Sequence, residues 1–558
     1  MLNNGTERLR NVVLLSHSGA GKTILSEAML NLAGVSSRMG TIEDGTTASD
    51  FEPEEIRRQT SVQTSILACP WKDHKINIID TPGYADFRGE VTSGIRVADG
   101  AIIVVAGPSG VEVGTRQMWG LADERNMPRM VFVSKMDRES ADFKRVMDSL
   151  TEALGRHCVA VQVPIGSEAS FSGIADLLDP EIVVPDGFES DVEAARERLV
   201  EAIAETDDAL ADKYLAGGLI SQDEMITGLK HGIASGSIVP VLTGASLSGI
   251  GVKDVLNAVV DFMPSPADVG PVVATGVLAN EELSLPPDPN GPRAALVFKT
   301  SADPFVGKLS YFRVYSGTVK SMSEMWNANQ GAAERIGQVF GITGKSQEAV
   351  SELAAGDIGA VSKLSSSLTG HTLTDRERSI VLPGMEFPLA VYHMAVYPKS
   401  KADVDKMTSS LARISEEDPS ISITREPNTL EVLLGGLGDT HTGVTVEKMK
   451  RKFGVEIQLE RPKVPYKETI GSSAKVEYRH KKQTGGHGQF GHVWLEIEPL
   501  PRGTGFEFAS SVVGGVVPRE YIPSVQKGVQ KALSDGVVAG FPVVDLKATL
   551  VDGSYHTV

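Results

Sequence analysis

Apolar residues fall into short runs along the first part of the chain. Residues 11–15 (NVVLL), 75–79, 101–105 and 130–133 each read as a buried strand, with helical spacing such as Leu25, Ala28 and Met29 between them. Strands alternating with helices predict a parallel sheet whose ligand lies at the strand C-termini. Residues 191–214 are Ala-rich, acidic and helical in pattern, and residues 264–271 (PSPADVGP) mark a linker. From 294 to 363 apolar and polar positions alternate between Gly turns, as in KLSYFRVYSG, which predicts a β-barrel. Residues 387–460 read strand, helix, strand, strand, helix, strand. Val404, Met407, Leu411 and Ile414 form the core face of the first helix. The second helix, about 442–453, carries Lys448, Lys450, Arg451 and Lys452 near its end. Cations there stabilise a helix C-terminus, and an RNA patch is the alternative.

Composition narrows this picture only a little. A chain of 558 residues exceeds one core and implies about three to four domains. No apolar run approaches the ~20 residues of a membrane helix, and the start has no apolar signal core. Cys69 and Cys158 offer neither a disulfide framework nor zinc spacing, so a cytoplasmic protein is expected. The net charge of −18 opposes nucleic-acid binding by the chain as a whole. From Arg461 onward, 12 Lys and Arg face 9 Asp and Glu, giving +3 and leaving −21 for the rest. Charge alone favours drift between domains over an RNA-facing end.

The chemistry lies in the loops after the strands. Ser16-His17-Ser18-Gly19-Ala20-Gly21-Lys22-Thr23 joins a strand to a helix, the context of a phosphate loop, although Ser16 replaces its first glycine. Small residues turn backbone N–H groups toward phosphate oxygens. Lys22 reaches the outer phosphates, and the Thr23 hydroxyl suits Mg²⁺. Asp80 ends the second strand and can hold Mg²⁺ through water. Gly83 lets the backbone approach a terminal phosphate. Ser134-Lys135-Met136-Asp137 ends the fourth strand. Asp137 can accept both N–H groups on the guanine edge, which selects GTP over ATP, while the Lys135 stem packs along the base. Residues 240–246 (PVLTGAS) bring Gly244, Ala245 and Ser246 to offer backbone N–H to the guanine carbonyl.

Residues 71–83 (WKDHKINIIDTPG) resemble the translational GTPase elongation factor G. So do DPFVGKLSYFRVYSG (303–317), QTGGHGQFGHV (483–493), EPLPRGTGFEF (498–508) and GGVVPREYIPSVQKG (514–528), in order along essentially the whole chain. The resemblance implies a multidomain α/β and β fold. A P-loop GTPase domain spans 1–265 with an inserted subdomain at about 164–238. A β-barrel covers 266–386, a ferredoxin-like α/β sandwich 387–460, and an incomplete S5-like α/β domain IV 461–558. Domain V is absent. The chain stops at SYHTV, where a frayed end is expected. The resemblance further implies GTP or GDP with Mg²⁺, and the ribosome, its RNA and decoding site, and the tRNA–mRNA pair as partners. It also implies ribosomal translocation as the task, and a monomer. Gln483, Gly485, Gly486 and His556 fall on the loops of the domain IV tip that meet tRNA.

Departures from the family cluster around the phosphate end. Counted back from Asp80, the family's Mg²⁺-binding switch threonine falls on Ser61, within Arg58-Gln59-Thr60-Ser61, with Thr60 the alternative. Gly19 replaces an aspartate, Ser134 an asparagine, and Ala245-Ser246 inverts Ser-Ala. Tyr84 stands where the family places the histidine that orients the attacking water. A phenol, with pKa ~10 and a longer reach, orients water only by a different geometry. The expectation is therefore binding of GTP and GDP with weak or ribosome-dependent hydrolysis. The alternative is a GTP-gated ribosome-binding regulator that scarcely hydrolyses.

Overall fold

The first strand, β1 (Leu9–Leu15), is buried at every position. A strand without a solvent face needs helices on both sides, and the chain supplies them in turn. They follow as α1 (Lys22–Leu32), α2 (Pro53–Arg58), β2 (Ser65–Trp71), β3 (His74–Asp80), α3 (Arg88–Arg96), β4 (Gly100–Ala106), α4 (Val113–Asp123), β5 (Arg129–Ser134), α5 (Phe143–Leu154) and β6 (Cys158–Ala160). This is a computed structural model. It describes residues 5–155, 157–277, 280–303, 307–483, 485 and 488–556, with only the backbone of Asp303.

An antiparallel pair, β7 (Gln162–Ile165) with β8 (Gly173–Asp176), opens an excursion through α6 (Glu189–Ala204), α7 (Asp208–Leu215) and α8 (Gln222–Ser235). The chain returns as β9 (Val239–Thr243) and α9 (Val252–Phe262). The helical stretch expected over 191–214 is thus two helices. Asp207 breaks it by accepting the N–H groups of Ala209 and Leu210, a cap that restarts the helix.

The sheet order is β2-β3-β1-β4-β5-β9-β6, parallel except for β2 against β3. Alternate residues of β1 serve opposite cores. Val12 and Leu14 join α1 and α9, while Val13 and Leu15 join α3, α4 and α5. The sheet edge continues beyond β2, where Leu67 pairs with Thr343 of strand Val339–Thr343. That strand belongs to the barrel predicted from the alternation, which follows the short α10 (Pro266–Val269). Phe298, Leu309 and Ile342 of the barrel share a core with β1 and β3.

The third layer pair has strands Tyr392–Pro398, Ser422–Arg425, Val432–Gly436 and Ile457–Glu460. Its helices are α11 (Lys401–Glu417) and α12 (Asp439–Phe453). Met407, Leu411 and Ile414 are buried as their spacing predicts, whereas Val404, in the first turn of α11, is 49% exposed.

The chain divides into two units. Residues 425–431 and 461–558 form the second, and everything else forms the first. The second unit has a four-stranded sheet in the order Ala474–Gln483, Gly488–Pro499, Leu546–Ser554, Phe506–Ser510, with α13 (Ile522–Asp535) connecting its parallel pair. Its buried apolar cluster comprises Val543, Leu546 and Ala548, and Ala474–Gln483 is exposed along its whole length. Among the described residues no helix is long and apolar enough to cross a membrane.

Candidate functional site

The loop between β1 and α1 is closed by glycines in left-handed backbone, Gly19 (φ +82°) and Gly21 (φ +103°), which side-chain-bearing residues adopt only at a cost. Lys22, at the start of α1, is buried and donates to the His17 carbonyl at 3.2 Å. Burial pushes its ammonium down to about 8, against the pull of Asp80 and Asp50. Gly83 sits against this lysine. A Cβ there would lie 2.5 Å from Lys22 Nζ and 2.6 Å from the His17 carbonyl oxygen, so only glycine lets the β3 loop approach so closely. The His17 ring is turned to α4, with Nδ1 3.0 Å from Thr115 Oγ1 and Nε2 3.1 Å from Glu112 Oε1. Ser18 and Ala20 complete the loop, Ser18 exposed and Ala20 buried.

One side of the loop gathers oxygens. Thr23 Oγ1 donates to Asp80 Oδ2 at 3.1 Å and lies 3.2 Å from Ser61 Oγ. Asp80 Oδ1 is buried with no hydrogen-bond partner among the described residues. Burial raises the Asp80 pKa, partly offset by Lys22. No cluster of three or more His, Cys, Asp or Glu able to hold a metal exists among the described residues. One carboxylate and two hydroxyls fit Mg²⁺, which binds through one or two carboxylates and substrate oxygens. Thr60, the alternative to Ser61, turns its hydroxyl to the Arg58 carbonyl instead.

Asp50 was not singled out from the sequence. It is buried, and its carboxyl is pushed up to about 7, first by burial and then by Asp80, with a Ser61 hydrogen bond opposing. Only its place in a small polar stretch (Thr47, Ala48, Ser49) hinted at a packed loop.

Three carboxylates pin the backbone of residues 40–64. Glu27 accepts from Gly40 and Ala48 N–H, Glu55 from Val62 and Gln63 N–H, and Glu90 from Thr64 N–H. Lys299 of the barrel neutralises Glu90 at 2.9 Å and donates to the Thr64 carbonyl.

On the other side of the loop, Ser134 Oγ donates to the Ala20 carbonyl at 2.6 Å, and Lys135 Nζ to the Gly19 carbonyl at 2.5 Å. The shorter serine therefore ties β5 to the phosphate loop. Asp137 is half-buried and makes no hydrogen bond among the described residues. The β9 loop is narrower in its offer than the sequence implied. Gly244 N–H is bonded to the Val133 carbonyl and Ala245 N–H to the Ile250 carbonyl, whereas Ser246 Oγ is buried without a partner among the described residues.

Tyr84 stands apart. It is 44% exposed, it precedes a short 3₁₀ turn (Ala85–Phe87), and its ring centroid is 6.4 Å from that of Phe87. No hydrogen bond engages its hydroxyl among the described residues.

In the second unit, Gln483 pairs with Gly488 at the end of a hairpin, and Gly485 takes positive φ (+61°) in its turn. Gly486 lies outside the described residues. His556 stacks obliquely on Phe490 at 6.0 Å, which brings it beside the same hairpin, and Arg479 covers Phe490 at 5.3 Å. Three of the four cations named in α12 are paired with carboxylates. Arg451 pairs with Glu52 and Glu54, Lys452 with Glu417 and Lys450 with Glu456, so the run is not a free RNA patch.

Four family models match the chain in succession. They are described as the elongation factor Tu GTP binding domain (residues 7–265), elongation factor G domain 2 (292–376), elongation factor G domain III (387–461) and elongation factor G domain IV (462–558). Among solved structures, a crystal structure of a protein from Thermus thermophilus is 32% identical, with a TM-score of 0.84. The match covers 99% of this chain and 82% of that one. With this succession of domains, this identity and this architecture, the chain belongs to the elongation factor G family of translational GTPases.

Proposed function

We propose that this chain binds GTP with Mg²⁺ as a cytoplasmic monomer and promotes movement of tRNA and mRNA through the ribosome. In this reading its hydrolysis of GTP is slow until the ribosome aligns the site. The observation that carries the nucleotide half is the buried, unpartnered Asp80 Oδ1 beside Thr23 and Ser61. Thr23, Ser61 and Asp80 would hold Mg²⁺, which when bound neutralises charge on the phosphate oxygens. Lys22 holds a positive charge against the outer phosphates, and Gly83 offers its N–H where no side chain fits. Asp137 accepts from the guanine edge, and the Ser246 end of the β9 loop faces its carbonyl.

Tyr84 limits turnover in this reading because its exposed phenol has no partner to fix it. The hairpin end at Gln483 and Gly485, with His556, is the surface offered to tRNA at the decoding site. The test is phosphate release with and without ribosomes. The expected result is slow release alone, stimulation by ribosomes, and a further rise in Tyr84→His. Ribosome-stimulated turnover equal to that of a histidine-bearing homologue, and unchanged in Tyr84→Phe, would show that position 84 does not limit the rate.

A further inference from the structure

Helix α2 carries opposite charges at its two ends, and α12, nearly four hundred residues later, answers both. At the start, Arg451 Nε lies 2.8 Å from Glu54 Oε1, and its Nη2 lies 2.5 Å from Glu52 Oε2 and 3.0 Å from Glu54 Oε2. At the end, Glu447 accepts from both Arg57 and Arg58, the latter at 3.0 Å. The Glu54 side chain is 3% exposed. A carboxylate buried to that degree is costly without its cation, so Arg451 holds the start of α2 firmly. Glu447 meets Arg57 and Arg58 nearer to solvent, their side chains 60% and 30% exposed.

The grip does not stop at α2. Its N-terminal turn is a capping box in which Glu52 and Glu55 each bond the other's backbone N–H. The same Glu55 carboxylate, buried at α2, accepts the N–H groups of Val62 at 2.9 Å and Gln63 at 3.2 Å. These residues directly follow Ser61, whose Oγ stands 3.2 Å from Thr23 Oγ1. A continuous series of hydrogen bonds therefore runs from Arg451 through Glu52, Glu54 and Glu55 to the backbone that places Ser61.

We infer that Arg451 and Glu447 are positioning residues for Ser61: by clasping both ends of α2 they hold the serine hydroxyl where a triphosphate-bound cation would need it. This rests on the nucleotide reading above. A diphosphate makes no demand on Ser61, so the clasp favours the triphosphate state and leaves diphosphate affinity nearly untouched. By reciprocity, binding of the triphosphate tightens the hold of α12 on α2.

The experiment measures affinities of the whole chain for fluorescent GDP and a fluorescent non-hydrolysable GTP analogue in magnesium. The variants are Arg451→Glu, Glu447→Arg, and Glu447→Arg combined with Arg57→Glu and Arg58→Glu. Circular dichroism and thermal unfolding accompany each, and Glu447→Gln serves if a reversal fails to fold. The expected result is a loss of about ten-fold or more in triphosphate affinity for each single reversal, with diphosphate affinity within about two-fold. The triple variant should recover most of the triphosphate affinity. Equal losses for both nucleotides, no loss, or a triple variant no better than Glu447→Arg would overturn the inference while leaving the nucleotide reading intact. A wild-type chain that binds neither nucleotide would instead overturn that reading and this one together.

Discussion

Two buried carboxylates, one in the GTP-binding domain and one in the barrel, have opposite fates. Glu334, 1% exposed, accepts from the backbone N–H groups of Ser365 and Ser366 and from the hydroxyls of Ser365, Ser366 and Ser367. Burial pushes its pKa up, but the donors outweigh it and hold the group down to about 2. Asp80, 2% exposed, is held within hydrogen-bond distance by Thr23 at Oδ2 alone among the described residues, with Oδ1 unmet. Burial keeps its pKa raised, although Lys22 and the nearby Ser49 and Ser26 hydroxyls draw it down. Burial is common to both, so the difference lies in the supply of donors. A carboxylate that the fold satisfies from within is structural. One buried at a loop end with an oxygen left over has an unmet demand, which the proposed Mg²⁺ would fill.

Exchanging charge for a neutral isostere should separate the two most widely. Asp80→Asn should lower magnesium-dependent triphosphate affinity by at least about a hundred-fold, because it removes the anionic oxygen a cation would meet, without lowering thermal stability. Calorimetry with and without magnesium, alongside thermal unfolding, checks both halves. Glu334→Gln should do the reverse. Nucleotide affinity should stay within about two-fold, while the barrel loses about 1–3 kcal/mol at neutral pH, read as faster hydrogen exchange in its strands.

The pH dependence follows from a folded pKa below the ordinary value of 4.5. Glu334's contribution is fully present above 4.5 and drains away as pH falls toward about 2. The gap between wild type and Glu334→Gln should therefore close in acid. A gap independent of pH would remove Glu334 as the contrast.

A third carboxylate sharpens the comparison. Asp137 also lacks a hydrogen bond among the described residues but is only half-buried, so its unmet demand is weaker. Asp137→Asn should reduce guanine over adenine preference by roughly ten-fold, the worth of one charged hydrogen bond, in a competition assay. The smallest effect belongs to Tyr84→Phe, which should shift GTP and GDP affinity by less than about two-fold, since the exposed hydroxyl bonds to nothing that binds.

What the sequence disclosed follows the range of the interactions. The strand, glycine loop and lysine of residues 11–23 were legible because their pattern is local and steric. The helix face of α11 was legible from periodicity, except Val404, which is exposed in the first turn. Neither Glu334's serine cradle nor the meeting of Arg451 with Glu54 was visible, because each joins segments that only the folded chain brings together. The same limit hid Ser134's bond to Ala20. Asp50 escaped because a buried acid looks like a surface acid until its neighbours are known.

The pairing of β2 with the barrel has a mechanical consequence. β2 begins opposite Asp80, with Ser65 and Asp80 in register, four residues after Ser61. Two residues further on it is bonded to the barrel, through Leu67 beside Thr343 and Gly344 N–H on the Ile66 carbonyl at 2.8 Å. One ribbon thus runs beside Asp80 and is hydrogen-bonded to a second domain two residues later. Between Asp80 and the barrel there is therefore hydrogen-bonded strand and no slack linker.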